Sequence, residues 1–240
     1  MTSTPTGTLH LIPVGMSDAP TDHWLPAQAQ HCASELSIYI AENAKTARAF
    51  LKLIGTSRPL QDIVIHTLSE KTTASEIKTW LQPARQGIDI GLVSEAGCPA
   101  VADPGAKVVE QAHTQKIRIQ PWVGPSSIIL GLMASGLDGQ RFAFHGYAPI
   151  QATERAQQLR TWENISLKSK QTQLLIETPY RNDALFDTLI NTLKGSTRLC
   201  IARSLTGSDQ WILTQDIAQW KTSPKPDLNK KPTLFLFQAR

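Results

Sequence analysis

Two loops built of small residues follow predicted strands, and their residue types suit a ligand that is held by the main chain. The longer loop, residues 94–105, contains two glycines and two prolines. Small side chains let a ligand approach the backbone closely, while Gly and Pro fix an unusual chain path. An ordinary β–α turn would have the same composition. A second loop, residues 123–127, contains Gly-Pro-Ser-Ser and places two hydroxyls at the start of a predicted helix. These hydroxyls and the helix amides could bind a carboxylate, or they could only cap the helix.

A third segment, residues 176–181, places Glu177 at a strand end close to Tyr180 and Arg181. A carboxylate, a planar aromatic ring and a guanidinium together could form part of a binding site. A structural ion pair between Glu177 and Arg181 is the more common interpretation of such a group.

Several kinds of chemistry have no motif in this sequence. It contains no G-x-G-x-x-G after a strand, no Walker loop, no G-x-S-x-G and no H-E-x-x-H. The six histidines lack metal-ligand spacing, so no metal site is predicted. The three cysteines are far apart in the sequence, which argues against a disulfide framework and a zinc ribbon and favours a reducing cytoplasm.

Apolar runs alternate with helical patterns, which predicts an α/β protein with mainly parallel sheets. The predicted strands are 8–14, 36–41, 63–68, 89–94, 117–123, 141–147, 173–177, 199–204, 211–214 and 233–238. The predicted helices are 46–54, 73–81, 104–113, 127–135 and 182–193. Pro121 to Pro125 marks the predicted boundary between two α/β domains, 1–121 and 122–240, with a ligand expected in the cleft between them.

Composition and charge limit the class of protein. At 240 residues, with 41% hydrophobic and 18% charged residues, the chain is not collagen, coiled coil or disordered. The longest uncharged stretch is broken by Pro and Gly, so no membrane association is predicted. Residues 1–120 carry 10 Lys and Arg against 11 Asp and Glu, whereas residues 121–240 carry 14 against 9. A basic second half is compatible with RNA, although lysines in loops are more often simply solvated.

The order of motifs resembles that of the tetrapyrrole methylase superfamily of S-adenosylmethionine-dependent methyltransferases. The matching segments, in chain order, are GTLHLIPVG, IAENAKTARAFL, LVSEAGCPAVADPG, VGPSSIILGLMASGL, FAFHGYAP and IETPYRN. Within the superfamily, the chain is most similar to the branch that methylates a cytidine 2′-hydroxyl of small-subunit ribosomal RNA. The resemblance implies two αβα domains with the cofactor in the cleft between them, and assembly as a homodimer.

The resemblance also implies which residues contact S-adenosylmethionine. They lie in loops that follow strands and bind largely through main-chain groups. The implied cofactor residues are Pro13, Ser94, Glu95, Ala96, Gly97, Ser126, Ser127, Glu177, Thr178, Ala202 and Thr233. Of these, Ala202 and Thr233 rest on position in the chain rather than on a motif.

The substrate side is implied by a motif that departs from the family pattern. Relatives carry an EDTR-like segment, which here reads Glu42-Asn43-Ala44-Lys45. Glu42, Lys45 and Arg48 are the predicted catalytic residues, with Arg48 one turn beyond Lys45 in place of the missing guanidinium. A methyl group on a sulfonium is already activated, so alignment and electrostatics are the main demands of the reaction.

Two alternatives to ribosomal RNA methylation stay open. One is methylation of a tetrapyrrole or another small metabolite, although corrin and porphyrin enzymes carry a GDP-type loop where this chain has SEAGCPAVADPG. The other is a protein that binds S-adenosylmethionine without catalysis, which the altered EDTR-like motif favours. The ribosomal RNA enzymes also extend beyond the last strand, whereas this sequence stops at Arg240, so another RNA-binding surface or another substrate is expected.

Overall fold

The computed structural model describes residues 6–240, which form two compact units, one ending at Ser126 and the other running from Ser127 to Arg240. Each unit contains one five-stranded sheet with helices packed against it.

The first unit has a fully parallel sheet, as predicted. Its strands are β1 (Thr8–Leu11), β2 (Ile38–Ala41), β3 (Val64–Thr67), β4 (Ile90–Val93) and β5 (Arg118–Pro121). They are ordered β3-β2-β4-β1-β5. The helices are α1 (Ala27–Glu35), α2 (Ala44–Ile54), α3 (Ala74–Trp80), α4 (Gln82–Arg85) and α5 (Ala106–Thr114), with short 3-10 helices at Thr21–His23 and Leu60–Asp62.

The centre of this sheet is fully buried, which explains why its strands are continuous apolar runs. All four residues of β4 are buried. Gly91 lies against the ring of Tyr39, where an added Cβ would be 2.5 Å from Cε1. Tyr39 is itself buried and donates its hydroxyl hydrogen to the carbonyl of Ala33 in α1. The pairing of a glycine with a large ring thus helps to fix the position of α1 on the sheet.

The second unit has a mixed sheet, which differs from the parallel one predicted. Its strands are β6 (Phe142–Tyr147), β7 (Thr172–Ile176), β8 (Arg198–Arg203), β9 (Trp211–Asp216) and β10 (Thr233–Gln238). The order is β6-β7-β10-β8-β9, and only the β6–β7 pair is parallel. The last strand inserts antiparallel between β7 and β8, a long-range pairing that apolar runs do not encode.

Four helices belong to this unit: α6 (Ser127–Ser135), α7 (Ala152–Ser169), α8 (Asn182–Thr192) and α9 (Ile217–Trp220). The bounds predicted for α6 are confirmed, whereas α7 was not predicted. Its buried face includes Arg155, Glu163 and Ser166 beside Leu159 and Trp162, so it lacks a clear apolar period.

Candidate cofactor and substrate site

The loops that follow β1, β2 and β4 lie at one edge of the first sheet, because the carboxyl ends of parallel strands share an edge. We call them, together with residues 122–126 after β5, the first loop group. β1 ends at Leu11, so Pro13 lies in a loop rather than in the longer strand predicted. Val14 then exchanges two main-chain hydrogen bonds with Gly97, of 3.0 and 3.1 Å. The structure therefore places Pro13 beside the long loop after β4.

Two glycines make the main chain of this group approach closely. Gly97 has a φ of +74°, and a Cβ added there would lie 3.3 Å from the carbonyl oxygen of Pro125. A Cβ added at Gly124 would lie 2.2 Å from Cβ of Pro13. A larger residue at Gly124 would have to displace the Pro13 ring or the backbone, so the two glycines fix how these loops pack on one another.

The loop of residues 94–105 is held in shape by its own side chains. Ser94 Oγ donates to the carbonyl oxygens of Ala96 and Gly97, at 3.2 and 3.4 Å. Asp103 Oδ1 accepts hydrogen bonds from the amides of Ala100 and Gly105, at 3.0 and 2.7 Å.

Within the same loop, Ala100 and Ala102 have positive φ angles of 66° and 62°. Left-handed backbone is unfavourable for a residue with a Cβ. The Asp103 hydrogen bonds offset that cost, so the loop has a defined conformation.

The side chain of Glu42 contacts the main chain of Glu95. Glu42 Oε1 lies 3.4 Å from the amide nitrogen of Glu95, which donates to it, and Thr46 Oγ1 donates to Glu95 Oε1 at 2.5 Å. Burial is the main reason that the pKa of Glu42 is raised, and the negative charge of Asp103 adds to it. Burial likewise raises the pKa of Asp103. A half-buried carboxylate with a raised pKa is suited to accept a proton near neutral pH.

Lys45 and Arg48 lie in the first turns of α2, exposed to solvent. Asn43 caps this helix by accepting from the amide of Lys45 at 2.9 Å. Among described residues, the side chain of Arg48 makes one hydrogen bond, to the carbonyl oxygen of Ala44 at 3.5 Å. Glu42 is thus hydrogen-bonded to the loop of residues 94–105, whereas Lys45 and Arg48 lie on the exposed surface of α2.

The remaining predicted residues belong to the second unit, where the end of β7, the start of β10 and the end of β8 meet. Leu234 is the register partner of both Ile176 and Ala202. We call Glu177, Thr178, Ala202, Thr233 and the α6 start at Ser127 the second loop group. Gly131 of α6 packs on this sheet, and a Cβ there would lie 2.4 Å from Cδ2 of Leu234.

Glu177 forms the ion pair that the sequence favoured. Its Oε2 accepts from Arg181 Nη2 at 2.7 Å, from Arg181 Nε at 2.9 Å and from the amide of Thr178 at 2.6 Å. The Glu177 side chain is 1% exposed and that of Arg181 is 35% exposed. Its Oε1 is buried without a hydrogen-bond partner among the described residues. The Glu177 side chain therefore serves the fold, and the main chain of Thr178 is itself hydrogen-bonded, through its amide to Glu177 and through its carbonyl to the amide of Arg181.

The chain is 33% identical over 239 residues to ribosomal RNA small subunit methyltransferase I of Xylella fastidiosa strain Temecula1, covering 98% of this chain and 81% of that protein. The chain belongs to this methyltransferase family. A second member, from Neisseria meningitidis serogroup B, is 26% identical over 240 residues, with 98% and 77% coverage. A comparison with protein-family models gave no match.

Two solved methyltransferases share the fold. CobJ matches with a TM-score of 0.61 at 14% identity, over 98% of this chain and 94% of that one. The cobalamin biosynthetic enzyme CbiF, cobalt precorrin-4 methyltransferase, gives 0.59 at 14%, over 96% and 94%. The predicted tetrapyrrole methylase fold is confirmed, as are the predicted enzyme class and the branch of the superfamily.

Two residues that contact or shape the first loop group were not predicted from the sequence. Thr46 contacts Glu95, and Asp103 shapes the long loop. Asp103 was inside a quoted motif, and its position two residues before a glycine, with a proline between, is a usable sign of a side chain that accepts from the loop amides.

Residues 6–240 hold no group of three or more His, Cys, Asp or Glu side chains placed to bind a metal ion. Within the same range, every helix is too short or too polar to cross a bilayer.

Proposed function

We propose that this methyltransferase transfers the methyl group of S-adenosylmethionine to a ribose 2′-hydroxyl of small-subunit ribosomal RNA. The observation that carries the proposal is the match to the Xylella fastidiosa enzyme across 81% of that protein's length. The name of that relative supplies small-subunit ribosomal RNA as the acceptor, and the resemblance to the superfamily branch supplies the ribose 2′-hydroxyl. The contacts of the first loop group support a site for chemistry of this kind.

The first loop group fits a ligand bound through its main chain. Gly97 and Gly124 let these loops pack tightly against Pro125 and Pro13, and Asp103 and Ser94 hold the loop of residues 94–105, so the loop backbone is in place before a ligand binds. In this proposal, Pro13, Ser94, Glu95, Ala96, Gly97 and Ser126 contact the cofactor. S-adenosylmethionine supplies an activated methyl group, because its sulfonium is a good leaving group.

The second loop group contains the other proposed cofactor residues. They are Ser127, Glu177, Thr178, Ala202 and Thr233. Ser127 is the first residue of α6, whose N-terminal amides and hydroxyl suit a carboxylate such as that of methionine. The resemblance to the superfamily supports these assignments.

Glu42 is the proposed general base. A ribose hydroxyl is a weak nucleophile and gains from a nearby base, since bound S-adenosylmethionine would supply only the methyl group and a neutral thioether as the leaving group. The hydroxyl proton then passes to a Glu42 carboxylate oxygen, which the raised pKa makes a better acceptor. Lys45 and Arg48, exposed on α2, are proposed to hold RNA phosphates and so to align the ribose.

The first experiment is calorimetric titration with S-adenosylmethionine, with and without ribosomal RNA. Wild-type protein is expected to bind with micromolar affinity, and Ser127→Trp to abolish binding. Ser75→Trp is the matched control, because Ser75 also lies in the first turn of a helix, α3, and is exposed. Absence of binding by the wild type would contradict the proposal.

The second experiment identifies the acceptor. Labelled S-adenosylmethionine is incubated with the enzyme and either unmodified small-subunit ribosomal RNA or a mixture of tetrapyrroles. Label on a ribose of the RNA is expected. Label on the tetrapyrrole would favour a small-molecule methyltransferase, and tight binding without transfer to either acceptor would favour a binding protein.

We also propose that the enzyme works in the cytoplasm as a homodimer. The resemblance to the superfamily supports both statements. Light scattering of the purified protein is expected to give twice the 26.4 kDa of one chain, and a mass of one chain would contradict the dimer.

A further inference from the structure

A surface cavity of about 380 Å³ opens on the α1 face of the first sheet. Thr8 and His10 on β1 are the register partners of Arg118 and Gln120 on β5. Residues two positions apart on a strand point to the same side, so all four side chains lie on one face of the sheet. The residues that line the cavity include His10, Gln28, Asp89, Arg118, Gln120 and Trp122. The cavity holds none of the residues proposed for methyl transfer.

His10 lies at the wall of this cavity with an unsatisfied polar atom. It is 8% exposed, and its Nδ1 accepts from Trp122 Nε1 at 3.2 Å, which leaves the ring proton on Nε2. His10 Nε2 has no hydrogen-bond partner among residues 6–240, although Asp89 Oδ2 lies 3.4 Å away. The acceptor that faces this donor at ion-pair distance is the Asp89 carboxylate, which also lines the cavity.

Trp122 gives the cavity a planar apolar surface. Its indole stacks on the His10 ring, with centroids 6.1 Å apart and planes inclined by 21°. It also packs on the hydrophobic core while remaining half-exposed. Since hydrogen bonding and packing both hold the ring, it is a rigid platform for another planar group.

Polar groups with spare capacity surround the platform. The side chains of Gln28 and Arg118 are exposed and form no hydrogen bond or ion pair with any residue in the described range. Asp89 uses Oδ1 to accept from the amide of Thr8 at 2.7 Å, and its side chain is 47% exposed. A cation, a carboxylate and a carboxamide around an indole are the groups that recognise a phosphate, an amino group and a base edge.

We propose that this cavity binds a nucleotide, with the base stacked on Trp122, the base edge hydrogen-bonded by Gln28 and Asp89, and the phosphate held by Arg118. Two sources share this chemistry, a free nucleoside monophosphate and an unpaired nucleotide of the RNA substrate. The RNA source rests on the proposed function, whereas nucleotide binding itself does not. The Gln120 side chain donates to the carbonyl oxygen of Pro121 at 2.9 Å, so Gln120 lines the cavity and is not assigned a hydrogen bond to the base.

The test follows the indole ¹⁵N–H resonance of Trp122, assigned with the Trp122→Phe variant, in the full chain. Cytidine and adenosine monophosphates, the matching nucleosides, inorganic phosphate and a short single-stranded RNA are titrated separately. Nucleotides are expected to shift the resonance. Arg118→Gln is expected to weaken nucleotide binding about tenfold and to leave nucleoside binding unchanged.

Arg160→Gln is the matched control, because Arg160 is an exposed arginine on α7 with no side-chain contact among the described residues. It is expected to bind nucleotides like the wild type. Tighter binding of the RNA than of monophosphates would identify RNA as the source, and the reverse would identify a free nucleotide. Both results support the cavity as a nucleotide site.

Two results would overturn the proposal. One is an unchanged Trp122 resonance with every nucleotide and with the RNA. The other is an equal shift with inorganic phosphate and no response to nucleosides, which would make the cavity an anion site. S-adenosylmethionine binding is measured on the same samples, so a failure of this proposal is distinguished from a failure of the proposed methyl transfer.

Discussion

The two loop groups are built differently although both follow buried strands. In the first, two alanines adopt left-handed backbone, two glycines allow close main-chain approaches, and Glu42 and Asp103 have raised pKa values. In the second, the buried carboxylate of Glu177 is paired with Arg181. The carboxylates with raised pKa values thus lie in the first group, whereas the second contains a buried ion pair in which Glu177 Oε1 has no hydrogen-bond partner among the described residues. Left-handed backbone also occurs beside the second group, at Ser204 and Thr206.

Asn182, the first residue of α8, extends the contrast. It is fully buried, and its amide donates to the carbonyl oxygens of Leu228 and Lys231 at 3.3 and 2.7 Å. It also donates to Thr233 Oγ1 at 3.3 Å. These bonds anchor the chain before β10. Substitutions of Glu42 and Asp103 should therefore change binding and turnover, whereas those that break the Glu177–Arg181 ion pair should change stability.

Replacing Glu42 by Gln should give the largest effect. Loss of the base is expected to lower turnover about 100-fold or more while cofactor affinity stays unchanged. In the wild type, turnover should fall as pH drops through the raised pKa of Glu42, because the protonated acid cannot accept the proton. That acid limb should therefore lie above the range of an ordinary Glu.

The Glu42 prediction is checked by kcat against pH, with Glu110→Gln, an exposed glutamate on α5, as the control. If the acid limb is unchanged in Glu42→Gln, Glu42 is not the base, and the chemical difference between the two loop groups is smaller than proposed.

Replacing Arg181 by Ala should next affect stability. The change leaves the buried Glu177 carboxylate unpaired, and the expected loss in the free energy of unfolding is about 2–3 kcal/mol, reduced by the partial exposure of Arg181. Chemical denaturation measures this loss. Adding Glu177→Gln should recover part of it, because no unpaired charge then remains. If Arg181→Ala is as stable as the wild type but binds no cofactor, the Glu177–Arg181 pair serves binding rather than stability.

Substitutions of Asp103 test whether the strained loop depends on its carboxylate. Asp103→Ala removes the acceptor for Ala100 and Gly105, so S-adenosylmethionine affinity is expected to fall about tenfold, the size of one strong hydrogen bond. Asp103→Asn keeps an oxygen acceptor and should stay within about threefold of wild type by calorimetry. Equal losses in both variants would show that charge rather than geometry matters.

The same residue gives a pH test of stability. The pKa of Asp103 is raised in the folded protein, so its contribution favours folding at low pH and is lost as pH rises through that pKa. In Asp103→Asn, this part of the pH dependence of the free energy of unfolding should disappear. Urea titrations across the acid range measure it, and an unchanged profile would assign the dependence to other carboxylates.

Replacing Arg48 by Ala should have the smallest effect. An exposed cation that holds a phosphate contributes little, so turnover on RNA is expected to fall about two- to fivefold, with cofactor affinity intact. Lys52→Ala, an exposed lysine later on α2, is the control. Kinetics at two salt concentrations measure the difference, and a loss of cofactor binding in Arg48→Ala would contradict its role on the substrate side.

Much of the fold could be predicted because apolar runs and strands coincide. All ten strands were predicted, and the bounds of β10 were exact. Helix α1 was not predicted, since it buries only Ala29 and Ala33 and so shows no apolar stripe. The central position of β10 was also not predicted, because pairing order depends on contacts between segments far apart in sequence.

The candidate site was identified at the level of loops rather than side chains. Small residues marked the loop after β4 as a candidate, and the resemblance to the superfamily supplied residues 94–97 within it. The contact of Thr46 with Glu95 joins residues 49 positions apart, and no local pattern encodes it. The left-handed Ala100 and Ala102 were equally hidden, because alanine does not signal such a backbone as glycine does.

The place of β10 in the second sheet has a consequence for the newly made chain. During synthesis, the first sheet has all its strands once β5 has emerged, but the second has a gap between β7 and β8 until Thr233–Gln238 is translated. Premature termination before Thr233 would thus remove the middle of a sheet and expose two inner strand edges. Such a fragment would be prone to aggregate on the ribosome, whereas the first unit has every strand it needs to fold while translation continues.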